Sequence, residues 1–230
     1  MVKNLFQFYT LTFLFILPFI GHAQDENSSL YFKISNLQRS AFEKNFDDSY
    51  RGYFDVENQK FRQLVVRKDS IVIRVGTEIM MTKEEATNKG FTFENDKMYG
   101  MAPLNGVHYA EDNDTIYALY YQYDSYLRKG QPFMKVAKDK YLLMIPQFED
   151  YYAIELMELI DDTLVISGVD HTVEMKLIQK FKDVKEEKID GYKTYILNPS
   201  FKELKKFTKK SGFNDPRNFL YNEELSQSNE

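Results

Sequence analysis

The sequence predicts a mainly β fold, an antiparallel meander forming a barrel or strongly curved sheet, with a short helix near 83–89 and a C-terminal helix near 201–210. Three observations carry this. From Tyr53 onward, short apolar runs with strand-like alternation recur about every ten residues, set apart by polar turns. Two capping boxes, Thr82-Lys83-Glu84-Glu85 and Ser200-Phe201-Lys202-Glu203, mark helix starts, with Gly90 and Gly212 placed to end those helices. The chain also holds 19 Phe and 17 Tyr but no Cys and no Trp, so its core is built from rings, and disulfides and thiolate metal sites are excluded.

The elements follow in order. Residues 1–23 have the make-up of a secretory signal peptide: Lys3, a mostly apolar stretch from Leu5 to Ile20, and small residues at Gly21-His22-Ala23. Gln7, Thr10, Thr12 and Pro18 break the run of about 20 apolar residues that a membrane-spanning helix needs. The expectation is an exported protein, periplasmic or extracellular, with no transmembrane segment after cleavage. With no Cys to carry acyl chains, it is not expected to be a lipoprotein. Residues 24–29 read as a flexible leader, 30–213 as a single β-rich domain including the C-terminal helix, and 214–230 as a polar tail.

Leu30 to Ile34 alternates as a strand, and Ser35 to Phe46 could hold a short helix. Phe61 to Val66 and Ile71 to Val75 form a hairpin through Arg67-Lys68-Asp69-Ser70, with Val72 and Arg74 on the face opposite Ile71, Ile73 and Val75. Phe91 to Glu94 and Lys97 to Met101 pair across Asn95-Asp96. Val107 to Tyr109 leads through the acidic turn Glu111 to Asp114 into Thr115 to Tyr123, followed by Phe133 to Val136 and Tyr141 to Ile145. Tyr151 to Ile160 also satisfies helical spacing, but the Asp161-Asp162 turn and the partner run Leu164 to Val169 decide for a hairpin. Thr172 to Ile178 alternates most cleanly, Lys182 to Lys188 reads as a solvated charged connection, and Tyr192 to Leu197 is the last expected strand.

Removing residues 1–23 takes away Lys3 and no acid, so the formal charge of −5 becomes −6. A mildly acidic chain of this kind is not expected to bind nucleic acid. Only His108 and His171 remain beyond residue 23, outside any HExxH spacing, and no GxSxG elbow or glycine-rich phosphate loop occurs, so no cofactor or metal is expected. Acid pairs are plentiful at Glu84-Glu85, Glu111 to Asp114, Glu149-Asp150 and Asp161-Asp162. They leave open a carboxylate-based hydrolase of glycans or envelope polymers.

The most suggestive run is Ile116 to Tyr123. On a strand, Tyr117, Leu119, Tyr121 and Tyr123 share one side, where ring bodies with polar tips would suit a small amphipathic ligand. On the C-terminal helix, Lys202, Lys205, Lys206 and Lys209 cover the arc opposite Phe201, Leu204 and Phe207, a basic face that could meet an envelope protein. Asp69-Ser70-Ile71, Asp114-Thr115-Ile116 and Asp162-Thr163-Leu164 repeat an acid, a hydroxyl and an aliphatic at turn-to-strand junctions. That triplet resembles the acceptor pattern for O-linked glycans in some Gram-negative bacteria.

The succession of short strands before one C-terminal helix, and the hairpin from Tyr152-Ala153-Ile154-Glu155-Leu156 to Asp162-Thr163-Leu164-Val165-Ile166, resemble lipocalin-like β-barrels exported by Gram-negative bacteria. The resemblance implies a non-enzymatic protein that binds a small, partly apolar ligand inside a barrel. The alternative is an envelope interaction module with a solid core, in contact through a surface edge or the basic helix.

Overall fold

The computed structural model describes residues 28–100, 106–170, 176–189, 191–210 and 212–227. Residues 1–23, expected to be a signal peptide, most of the expected leader 24–29, His171 and the first part of the expected 172–178 strand lie outside the described residues. The fold is mainly β, with short helices and a mixed sheet whose ladder is not closed into a barrel. In chain order the strands begin with β1 (Ser28–Phe32), β2 (Gly52–Val56), β3 (Arg62–Val66) and β4 (Ile71–Thr82). Helix α1 (Lys83–Asn88) precedes β5 (Thr92–Glu94), β6 (Lys97–Tyr99), β7 (Val107–Asp112) and β8 (Thr115–Leu127). Then come β9 (Phe133–Ala137), β10 (Lys140–Phe148), β11 (Tyr151–Ile160), β12 (Thr163–Gly168), β13 (Val184–Ile189) and β14 (Tyr192–Leu197). Helix α2 (Phe201–Lys209), β15 (Asp215–Tyr221) and α3 (Glu223–Gln227) follow.

The chain divides into two compact units. Among the described residues, the first comprises those of 28–38, 146–154 and 168–215. Here β14 pairs antiparallel with β13 and parallel with β1, and β1 meets β11 at Phe32↔Tyr152. Its helix α2 starts on Ser200: the Glu203 amide donates to Ser200 Oγ, and the Ser200 amide donates to Glu203 Oε2 at 2.9 Å. Leu204 and Phe207 are buried, and Phe207 meets the rings of Phe181 and Phe213, each at 5.3 Å. Glu203 titrates below its ordinary value: burial would raise it, but the Ser200 hydroxyl and the Ser200 and Lys182 amides outweigh that cost.

The second unit comprises the described residues of 39–145, 155–167 and 216–227. Its ladder runs β12, β15, β2, β3, β4, β8, β7, β6, β5, and β11 is flanked by β12 and β10, with β9 beyond β10. Turns agree with their residues. Asn95-Asp96 and Asn113-Asp114 take left-handed φ values (49°, 59° and 48°, 63°), the geometry of two-residue hairpins that Asn and Asp tolerate best. The Thr82 capping box forms in both directions, and Gly90 stands at φ +86° just past α1. One face of the sheet carries the core: Phe54, Leu64, Val66, Ile71, Leu127 and Phe219 are all at most 2% exposed. A ring cluster adds Phe46 stacked on Phe133 at 4.1 Å and Tyr141 edge-on to Tyr50 at 5.0 Å, contacts worth about 0.5–1.5 kcal/mol each beyond burial. Burial pushes Tyr50 well above its ordinary pKa, and its Oη accepts from the Leu159 amide at 3.3 Å.

Several sequence expectations change. Residues 35–46 hold only a single 3-10 turn at Arg39–Ala41, because the segment buries Leu37 and Phe46 without a continuous apolar stripe. Residues 176–178 are helical rather than extended. The charged 182–188 segment is largely strand β13: at a sheet edge its lysines and glutamates reach water while the backbone pairs with β14. The meander expectation fails where strands distant in sequence pair: β1 lies parallel to β14 and beside β11, β4 pairs with β8, and β15 lies between β12 and β2 although it follows β14 in sequence. Residues 215–221, read as polar tail, are that strand; only Phe219 in it is buried, so composition could not reveal it.

Candidate functional site

Strand β4 pairs with β8 along its whole length, from Ile71↔Leu127 to Thr82↔Thr115. Tyr117, Leu119, Tyr121 and Tyr123 therefore stand opposite Met80, Glu78, Gly76 and Arg74 on one face, as the alternation anticipates. Ile116 and Ala118 point the other way into a small core with Ala86, Met98, Ile79, Met81 and Tyr109. The tyrosine face is outward: Tyr117 is 44% exposed, Tyr123 51% and Met80 70%.

Gly76 shapes the middle of this face. A Cβ there would stand 2.7 Å from Phe61 Cβ and 2.9 Å from the Tyr121 ring, so the glycine is what lets the cross-strand tyrosine lie down on the sheet. Phe61 sits at φ 62°, a conformation that costs a bulky residue about 1–3 kcal/mol, and its carbonyl accepts from the Gly76 amide at 2.7 Å. On the flattened ring rests Arg74, its guanidinium carbon 3.5 Å from the Tyr121 centroid and 5.5 Å from that of Tyr53.

A row of paired residues then crosses the sheet, Leu220↔Asp55↔Gln63↔Arg74↔Tyr123. Arg74 Nη1 donates to Gln63 Oε1 at 2.8 Å, Gln63 Nε2 to Asp55 Oδ1 at 2.8 Å, and Asn222 Nδ2 to Asp55 Oδ2 at 2.8 Å. Both Asp55 oxygens are thus occupied, and Gln63 must present its acceptor to Arg74. Among the described residues Arg74 has no carboxylate partner, and its Nε is buried without a hydrogen bond. The arrangement is a cation held flat between tyrosines, with donor capacity left over.

A second polar group lies on the core face. A bulge between Ile71 and Val72 of β4 adds one residue to β8, which turns Tyr126 and Leu127 to the same side. The Tyr126 hydroxyl donates to Glu155 Oε2, and Arg217 Nη2 donates to Tyr126 Oη at 2.9 Å and to Glu155 Oε1. Burial pushes the Tyr126 phenol far up. It would lower Arg217, but the Glu155 carboxylate and the Tyr126 phenol hold that guanidinium above its ordinary value. This triad satisfies its own charges across β8, β11 and β15 and is a structural tie.

The remaining candidates are dispersed. Lys202, Lys205, Lys206 and Lys209 are all exposed on α2, and Lys205 Nζ lies 4.7 Å from the Phe201 centroid. His108 is exposed on β7 opposite Lys97. Glu85 belongs to the α1 cap, Glu111 pairs with Lys83 at 2.8 Å, and Glu149 and Asp161 take turn positions at φ 44° and 51°. Among the described residues no group of three His, Cys, Asp or Glu could hold a metal ion. The sequence alternation puts the four tyrosines on one side, does not single out Tyr53, Gln63 and Asp55, and places Arg74 with Val72 on the face opposite Ile71, Ile73 and Val75. That isolated charge on a strand was the one available signal. No protein-family model, curated protein or solved structure matches this chain.

Proposed function

We propose that this is an exported, non-enzymatic binding protein, periplasmic or extracellular, which takes a small, partly apolar ligand on the tyrosine face of β4 and β8. The observation that carries the reading is the outward row Tyr117, Leu119, Tyr121 and Tyr123, with Tyr121 laid over Gly76 and Arg74 stacked on it at the Tyr123 end of the row. Exposed rings with polar tips offer contact area at low entropic cost, and a face whose geometry is fixed before binding loses little freedom on complex formation. In this reading the second unit is a strongly curved, lipocalin-like sheet. Support comes from the reach of Tyr126 on β8 to Glu155 on β11, strands that lie six apart in the ladder. The ligand then sits outside the curve, on the face opposite the core.

The test is denaturing mass spectrometry of purified protein for co-purified small molecules, with tyrosine fluorescence titrations against fatty acids and aromatic acids. Binding weakened about thirtyfold by Tyr117→Ala with Tyr123→Ala is expected, each exposed ring contributing of order 1 kcal/mol. Unchanged affinity in that double variant would move the ligand off this face. A second reading, docking of an envelope protein on α2, is favoured by the exposure of its four lysines to solvent. Crosslinking in cells with Lys205→Glu, Lys206→Glu and Lys209→Glu combined tests it, and a crosslink that persists removes it.

A further inference from the structure

We infer that Arg74 is an anion-recognition centre and that the ligand is a small organic acid whose oxyanion meets this guanidinium while its ring or chain lies on the tyrosines. The inference rests on the reading of the tyrosine face as the binding surface and adds the charge of what binds there.

The argument begins with pairing. Arg51 and Arg217 each hold a carboxylate, Asp48 and Glu155 respectively, whereas Arg74 has none among the described residues. The nearby acid Asp55 is separated from it by Gln63 and has both oxygens taken, by Gln63 and by Asn222. Gln63 contributes only a neutral acceptor, at one of the guanidinium nitrogens. The charge of Arg74 is therefore met by ring faces and one neutral amide oxygen, and these lack the planar pair of oxygens that a guanidinium fork matches best.

Position is the second point. Tyr121 below, Tyr53 beside and Gln63 at one edge fix the side chain, and the strained Phe61 backbone with Gly76 holds Tyr121 in place. Strain kept at a conformation that a bulky residue avoids is a mark of a site that needs its geometry. Tyr123, the cross-strand partner of Arg74, is half exposed and carries a hydroxyl that can serve an oxyanion as a further donor. An anion here would meet a preoriented cation flanked by apolar surface on which its body can rest.

The experiment uses the full chain and matched probes: 4-phenylbutyrate against 4-phenylbutanol, and galacturonate against galactose, with inorganic phosphate as a bodiless anion. Isothermal titration is run on the parent, Arg74→Gln, Arg74→Lys and Tyr123→Ala, with thermal melts to confirm folding. The acid of at least one pair should bind about tenfold or more tightly than its neutral partner, the gain expected of a charge-assisted hydrogen bond. That preference should vanish in Arg74→Gln, survive in part in Arg74→Lys, and fall with added salt. Tyr123→Ala should weaken both members of the pair, and phosphate alone should bind more weakly than either acid. Equal binding of acid and neutral probe, or a preference that persists in Arg74→Gln, would overturn the inference while leaving the tyrosine face as a binding surface. If Arg74→Gln does not fold, a salt-independent acid preference in the parent overturns it equally. Absence of binding by every probe would remove the surface reading itself, and this inference with it.

Discussion

Glu155 is the residue whose loss should be felt most. Its carboxylate holds Arg217 and accepts from Tyr126, and side-chain exposures of 16% for Glu155 and 25% for Arg217 leave little water to replace it. Glu155→Gln strips the charge and leaves the guanidinium poorly compensated, so urea denaturation should show a loss of about 3 kcal/mol, at the low end for broken buried pairs because water reaches the edge. Tyr126→Phe removes one hydroxyl and should cost about 1 kcal/mol in the same assay. At this scale the sequence was partly legible. Period-2 alternation put the four tyrosines of β8 on one side, since that depends only on backbone pleat. It could not reveal that Arg74 stacks on Tyr121 or that Arg217 reaches Glu155, because those contacts join strands far apart in the chain.

Elements show the same division between local and distant causes. Both capping boxes and the Asn-Asp turns were legible because their partners are three residues apart or fewer. Ser200→Ala should therefore cost α2 about 1 kcal/mol, read as a lowered urea midpoint with an unchanged slope. Strand β4 offers a sharper test at Gly76. Gly76→Val pushes a branched side chain against Phe61 and Tyr121, and about 1–3 kcal/mol of stability should be lost along with any ligand affinity of the face. A melting temperature equal to the parent's would show that the tyrosine need not lie on the glycine. Strands β13 and β15 were illegible for opposite reasons. The first is charged because it borders water, and the second is polar because only Phe219 in it is buried, while the residue two before it on the same face, Arg217, is charged.

The molecule as a whole relies on burial rather than bridges, and its acid response should follow from a few carboxylates. The hydrogen bond from Lys135 holds Asp47 below its ordinary 3.8, and Glu203 lies below its ordinary 4.5. Both pKa values are depressed on folding, so the unfolded chain binds more protons as pH falls. The stability they contribute is complete above their ordinary values and is lost as pH drops through the lowered ones. Urea midpoints should therefore be flat from pH 7 to about 5 and decline below about pH 4. Combined Asp47→Asn and Glu203→Gln should flatten that decline, and because both groups are largely solvated the change should be modest.

The interior place of β15 bears on how the chain comes off the ribosome. Its neighbours β12 and β2 were made long before it, yet each has a raw margin until residues 215–221 arrive to fill the slot between them. A chain that lacks residues 215–221 cannot complete this part of the sheet, so its cooperative collapse must wait until those residues have joined.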